Sequence, residues 1–451
     1  MNAAENMGLP ELAVPFERFR LSCGALLLVS QRTAAPVTAI HVHLRGCEAL
    51  DPRGKEGVAY LTGALIDQGT RSRTDEEIAE VLETAGGSIV GAASSISAHI
   101  AGRDSQVLID VLCEMLVEPT YPKARFERQR QRVIDRLLVD LDEPRVQGEQ
   151  LFRKLVYGNH WLGRPPTGTI ASLKRVTRAD LAAFHRSAWV AARTVIAVCG
   201  DVEPEKVRAR FEQRLSNWRS GSDIATTPPV LPPVAPRAAA FRAERAQVHV
   251  HLGHLGIRRN DPDYVALVVL DHVLGTGPGF TNRISKKLRD EQGLAYSVNA
   301  AIHSSAGILP GTFAAYIGTS PQHVATALAG FCSEIRRVQE ELVSAEELRV
   351  AQEYLVGSFV LSFQRASRRA SYLINAERHQ LPPDNLARLP REFAAVSAED
   401  LRRVARAHFH PDACCVVAAG PISTAELERA MGAANPGAAN PGRTIRVPRK
   451  S

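Results

Sequence analysis

No stretch of the 451-residue chain approaches the roughly 18 consecutive apolar residues of a membrane span. The first residues, MNAAENMGLPELAVPFERF, carry acids and two prolines where a secretory leader needs basic residues and then an apolar run. Cysteine is scarce: seven in all, without CxxC spacing, and all but Cys47 sit in apolar segments. They read as reduced core thiols, so the expected compartment is cytoplasmic. Aromatic residues make up 6% of the chain and do not interleave with the basic ones. The net charge of +7, from 55 Lys+Arg against 48 Asp+Glu, therefore argues against nucleic acid and for at most a mild preference for acidic peptides.

What is present begins with periodicity. Gly57 to Asp67 reads as a helix with Val58, Leu61, Ala64 and Leu65 on one stripe, and Thr74 to Ala85 as a second, opened by a Thr74/Glu77 capping box. Ser88 to His99 alternates small residues as a strand pair, along which a partner or an extended peptide would lie. Helices are expected over Asp104 to Val117, Lys123 to Asp140 and Thr177 to Ser187, with a buried strand from Thr194 to Cys199. Residues 219–240 hold five prolines and almost no periodicity, which marks a linker.

The pattern then restarts: a strand at Val248 to Leu252, a helix at Tyr264 to Leu274, strands at Leu294 to His303 and Ile308 to Ile317, then helices at Pro321 to Arg337 and Ala345 to Phe363. VTRADLAAFHRSAWVAARTVIAVCGDV from Val176 aligns with VSAEDLRRVARAHFHPDACCVVAAGPI from Val396, with Asp180/Asp400, Leu181/Leu401 and Gly200/Gly420 at one offset. Such long-range self-similarity implies two copies of one domain. The expected fold is α+β, each copy a mainly antiparallel or mixed sheet with helices on one face. The expected organisation is a tail (1–13), a first domain (14–218), the linker (219–240), a homologous second domain (241–428) and a disordered tail (429–451).

Chemistry concentrates in GTGPGFTNRISKKLRDEQGLAYSV. Gly275, Gly277 and Gly279 form a glycine-rich bend before a short basic helix, Thr281 to Arg289, and a second turn at Gly293 precedes a strand from about Leu294. The reversal at Gly293 points Arg289 and Tyr296 into one space. Both are donors that stay protonated at neutral pH and suit a peptide carbonyl or an oxyanion. Histidine pairs alternate on two strands, His41 with His43 and His249 with His251, and His254 follows, yet no carboxylate lies at ligand spacing.

On these segments the chain resembles the insulinase/pitrilysin family of zinc peptidases, in the two-domain, half-chamber form of the mitochondrial processing peptidase. The resemblance runs from about Val14 to Glu428. Catalytic members carry H-x-x-E-H on the first long helix, with a third ligand on a later helix. The matching segment here, GVAYLTGALIDQGT, has Tyr60 and Ala64 at the two His positions and Gly63 at the Glu position. Arg136, beside Asp135, stands at the third-ligand position, so no metal is expected in this chain. LRDEQGLAYSV matches the second-domain motif whose Arg and Tyr reach across the chamber, and these are Arg289 and Tyr296. The bend at Gly275, Gly277 and Gly279 occupies the place of a substrate-touching loop and is much shorter. The resemblance implies a zinc-less subunit forming half of a clam-shell, with zinc held by an H-x-x-E-H-bearing homologous subunit and an extended peptide as substrate. The alternative is a non-proteolytic scaffold or peptide-binding subunit descended from a peptidase.

Overall fold

The computed structural model describes residues 12–46, 48–222, 236–278 and 281–435. Among them, no helix is long and apolar enough to cross a membrane. Six strands build a first sheet: β1 (Glu17–Arg20), β2 (Leu26–Gln31), β3 (Val37–Leu44), β4 (Ser88–Ala92), β5 (Ser95–Ala101) and β6 (Thr194–Gly200). Their order is β1-β2-β6-β3-β5-β4. Five build a second: β7 (Arg237–Arg242), β8 (Val248–Leu255), β9 (Val298–Ala301), β10 (Thr312–Thr319) and β11 (Cys415–Gly420), in the order β7-β11-β8-β10-β9.

The two sheets share one topology. β6 lies parallel to β2 and antiparallel to β3, as β11 lies parallel to β7 and antiparallel to β8. β5 and β4 then continue the first sheet as β10 and β9 continue the second, which leaves β1 as the one addition. The identities in the repeat have physical causes. Asp180 and Asp400 are the third helical residues of matching capping boxes, closed by Thr177 and Ser397. Gly200 and Gly420 end β6 and β11 at φ of 143° and 149°. A Cβ there would come within 2.0 Å of the Val37 carbonyl oxygen or 2.5 Å of the Gln247 carbonyl oxygen. Only glycine supplies both the positive φ and the clearance.

One face of each sheet carries its own helices. Ile40, Val42, Ile196 and Val198 pack with Leu108, Leu112 and Phe211 in the first core, and Val250, Leu252, Phe313 and Val416 pack with Leu267, Phe331 and Leu401 in the second. The other face is covered by exchange. Helix Pro144–Tyr157, from the first half, sets Phe152, Leu155 and Val156 on Ala239, Cys415 and Val417 of the second sheet. Helix Ala366–His379, from the second half, sets Ala370, Leu373 and Ile374 on Leu26, Leu28, Val195 and Ala197 of the first. The fold is α+β with two mixed sheets, and the halves are tied by a reciprocal pair of helices.

Several boundaries differ from the sequence reading. Residues 237–240, placed in the linker, belong to β7, where Ala239 fits beneath the exchanged helix and Arg237 donates to the Leu155 carbonyl at 3.0 Å. Residues 429–434, placed in the disordered tail, continue helix Thr424–Ala434, whose Met431 and Ala434 pack on the second core. The remainder of the linker and of both tails lies largely outside the described residues. The strand expected from Leu294 begins at Val298, and the one expected from Ile308 begins at Thr312. Six cysteines are buried free thiols, and Cys47 is outside the described residues.

Candidate functional site

The segment matched to the zinc motif forms helix Val58–Ala64. Tyr60 is half-buried against the first core, and Ala64 is half-buried one turn on. Gly63 does more than lack a carboxylate. A Cβ at position 63 would lie 1.8 Å from the Ala92 carbonyl oxygen, and one at Gly91 would lie 2.1 Å from the Gly63 carbonyl oxygen. Helix and edge strand β4 therefore meet backbone to backbone, in the space a glutamate would need. Arg136, on helix Lys123–Leu141, is exposed and pairs with Asp140 at 2.9 Å. No donor at these four positions suits a divalent cation.

Arg289 and Tyr296 are brought together. The guanidinium carbon of Arg289 sits 5.3 Å from the centre of the Tyr296 ring, a cation–π contact. Tyr296 is 86% exposed, so its hydroxyl faces outward. The platform beneath is tied by local bonds. Residues 283–284 open a helical turn that continues as a π-helix, Ser285–Glu291. Asn282 caps it through its side-chain oxygen, accepting from Ser285 N at 2.9 Å. Gly293, at φ 62°, reverses the chain, and Leu294 N donates to the Leu288 carbonyl at 2.9 Å. Leu288 and Leu294 are buried on either side of the turn. Beside them Arg283 makes a two-pronged pair with Glu347, at 2.7 and 3.0 Å. The Arg283 bond first, against burial, and then the Ser344 bonds hold the Glu347 carboxyl at about 2.

The glycine-rich bend serves packing at the positions described. Gly275 is buried where a Cβ would lie 2.4 Å from the Ala300 carbonyl oxygen, and at Gly277 one would lie 2.4 Å from that of His272. Gly279 is outside the described residues. Thr276 of the bend lines a groove of about 620 Å³ between helix Pro144–Tyr157 and the outer edge of the second sheet, with Arg145, Asn299, Ser305 and Tyr316.

A family model described as the peptidase M16 inactive domain matches residues 175–355. An uncharacterized zinc protease of Streptomyces coelicolor is 29% identical over 373 residues, 78% of each chain. The probable mitochondrial-processing peptidase subunit beta of Arabidopsis thaliana is 22% identical over 430 residues, covering 88% of this chain and 77% of that one. A peptidase M16 inactive domain from Pseudomonas fluorescens superposes with a TM-score of 0.85 at 23% identity, over 91% of this chain and 99% of its own. Over most of its length the chain is similar in sequence and in fold to insulinase-family, peptidase-like proteins.

The histidines of β3 and β8 are put to structural use by the fold. His249 and His251 share a face of β8, as alternation requires. His249 Nδ1 is 2.9 Å from the Tyr316 hydroxyl. His251 is buried beneath Gly148 of the exchanged helix and stacks near Phe152. His254 donates from Nδ1 to the Leu255 carbonyl at 2.8 Å and accepts from His410 N at 3.1 Å. Burial pushes His251 and His254 down to about 4, so both are neutral at pH 7. His41 meets Ser371 across the exchange at 2.9 Å, and His43 is buried. Among the described residues, one group of three candidate ligands converges, Asp261, Asp263 and His408. Its Asp263 is already engaged, by His408 at 2.7 Å and by Arg403 at 2.8 Å.

Proposed function

We propose that this chain is the zinc-less subunit of a heterodimeric metalloendopeptidase. A homologous H-x-x-E-H-bearing subunit would hold the zinc and its activated water. This chain would supply the facing chamber wall and two donors, Arg289 and Tyr296, to the scissile carbonyl as negative charge develops on it. The observation that carries the reading is a contrast within one molecule. The zinc-motif helix is closed at Gly63 by the backbone of Ala92, whereas Arg289 and Tyr296 stand together and outward on a capped, ion-paired platform. An extended peptide would add as a strand to a sheet edge of the zinc subunit. Support for a family partner comes from the processing-peptidase likeness.

The test is co-expression with an H-x-x-E-H homologue and assay of peptide cleavage by the purified pair. Arg289→Ala and Tyr296→Phe should each assemble normally and reduce turnover about 100- to 1000-fold, the usual loss for one oxyanion donor. Assembly with wild-type turnover in both variants would remove the role proposed for the two side chains, and assembly without any cleavage would favour the non-proteolytic scaffold.

A further inference from the structure

The repeat places a second helix where the first half has its degenerate zinc motif. In the first half, Gly63 packs against Ala92 at the edge strand β4. In the second, Gly275 packs against Ala300 of the edge strand β9 in the same manner. Counting back three residues from each glycine gives Tyr60 in one half and His272 in the other. Helix Tyr264–Asp271 widens at that point into a π-helical turn, His272–Thr276. Such insertions into helices cluster at functional sites.

Two imidazoles meet there. The rings of His272 and His303 lie 6.1 Å apart, 29° from parallel. The His272 Nδ1–H donates to the Val268 carbonyl at 2.9 Å. His303 Nδ1 is 2.5 Å from Oδ2 of Asp271, a fully buried carboxylate whose same oxygen accepts from Ile302 N and His303 N. Neither Nε2 has a hydrogen-bond partner among the described residues. A ring whose Nδ1–H is held by a carbonyl or a carboxylate, with Nε2 left over, is the arrangement that metal-ligating histidines adopt. Both rings are half-buried, and the half-exposed Tyr354 lies 5.7 Å from His272.

We propose that His272 and His303 form a two-imidazole site for a divalent transition ion in the second domain, at the pseudo-symmetric counterpart of the degenerate zinc motif. Two protein nitrogens bind, and water fills the remaining positions. A site of this kind is weaker than a structural zinc centre with its full set of protein ligands. It uses neither Arg289 nor Tyr296 and makes no demand on the partner, so it stands or falls independently of the proposed subunit role.

The experiment is equilibrium dialysis of the chelator-stripped full chain against zinc, with copper(II) as the spectroscopic probe. One zinc per chain at micromolar affinity is expected. His272→Gln, which leaves the Asp271–His303 pair intact, should weaken binding at least tenfold, and His408→Gln should not. The copper spectrum should show two coupled nitrogens in the wild type and one in His272→Gln, with circular dichroism unchanged. No zinc uptake below about 100 µM by the wild-type chain, or unaltered uptake and copper spectrum in His272→Gln, would overturn the proposal.

Discussion

Restoring the lost catalytic residues should not restore a zinc site, and the reason can be given a magnitude. A Cβ at position 63 would lie 1.8 Å from the Ala92 oxygen, where ordinary contact begins at 3.4 Å. The obstacle is backbone on both sides, so helix Val58–Ala64 and β4 must separate by more than an ångström. Overpacking of a filled site costs about 1–3 kcal/mol, and a contact this close belongs at the upper end of that range. For a chain of this size unfolding as one unit, about 3 kcal/mol lowers the melting temperature by roughly 3–4 °C. Gly63→Ala is therefore expected to destabilise the chain by about that much in thermal and urea unfolding. Gly63→Glu should cost more, because it adds a carboxylate to the same space. The fourfold variant Y60H/G63E/A64H/R136E should take up no zinc beyond the parent chain. Loss of less than 1 kcal/mol in Gly63→Ala, or an additional equivalent of zinc in the fourfold variant, would refute the reasoning.

Two further outcomes follow from the core. His185, His251 and His254 are buried and pushed down to about 4. The folded chain thus binds fewer protons than the unfolded one, whose histidines titrate near 6.5. The stability these rings contribute is present above pH 6.5 and is lost as pH falls towards 4, by up to about 3 kcal/mol per ring. Urea midpoints measured between pH 7.5 and 4.5 should decline over that window, and a flat profile would contradict the burial assignment. The exchanged helices should hold the halves together: Leu373→Ala and Phe152→Ala are expected to cost about 2–5 kcal/mol each in one cooperative transition. Two separated transitions in the wild type would show that the exchange does not couple the halves.

The parts of this architecture legible in sequence are those set by local chemistry. The Thr74/Glu77 capping box, the turn at Gly293 and the glycines ending β6 and β11 each depend on a few adjacent residues, and each stands where expected. Arg289 and Tyr296 were placed in one space by a chain reversal that is itself local. Helices Pro144–Tyr157 and Ala366–His379 left no equivalent trace, because their apolar stripes fit the sheet of the other half and periodicity names no partner. The Gly63–Ala92 contact was illegible for a similar reason: a glycine in a helix reads as a weakness until the strand it admits is known. Asp271 also went unread, since a lone acid in YVALVVLD shows no sign of the backbone N–H groups and imidazole it accepts from. The matching third residue of two capping boxes, by contrast, is a local signal that makes the duplication legible in sequence.

The proposed division of labour is tested most directly by peptide cleavage, with this chain assayed alone and then with a co-expressed H-x-x-E-H homologue, as wild type and as Arg289→Ala/Tyr296→Phe. The account predicts no cleavage by the chain alone, cleavage by the wild-type pair, and at least a 100-fold lower turnover in the doubly substituted pair at unchanged assembly. Cleavage by the isolated chain, or full turnover without Arg289 and Tyr296, would contradict it.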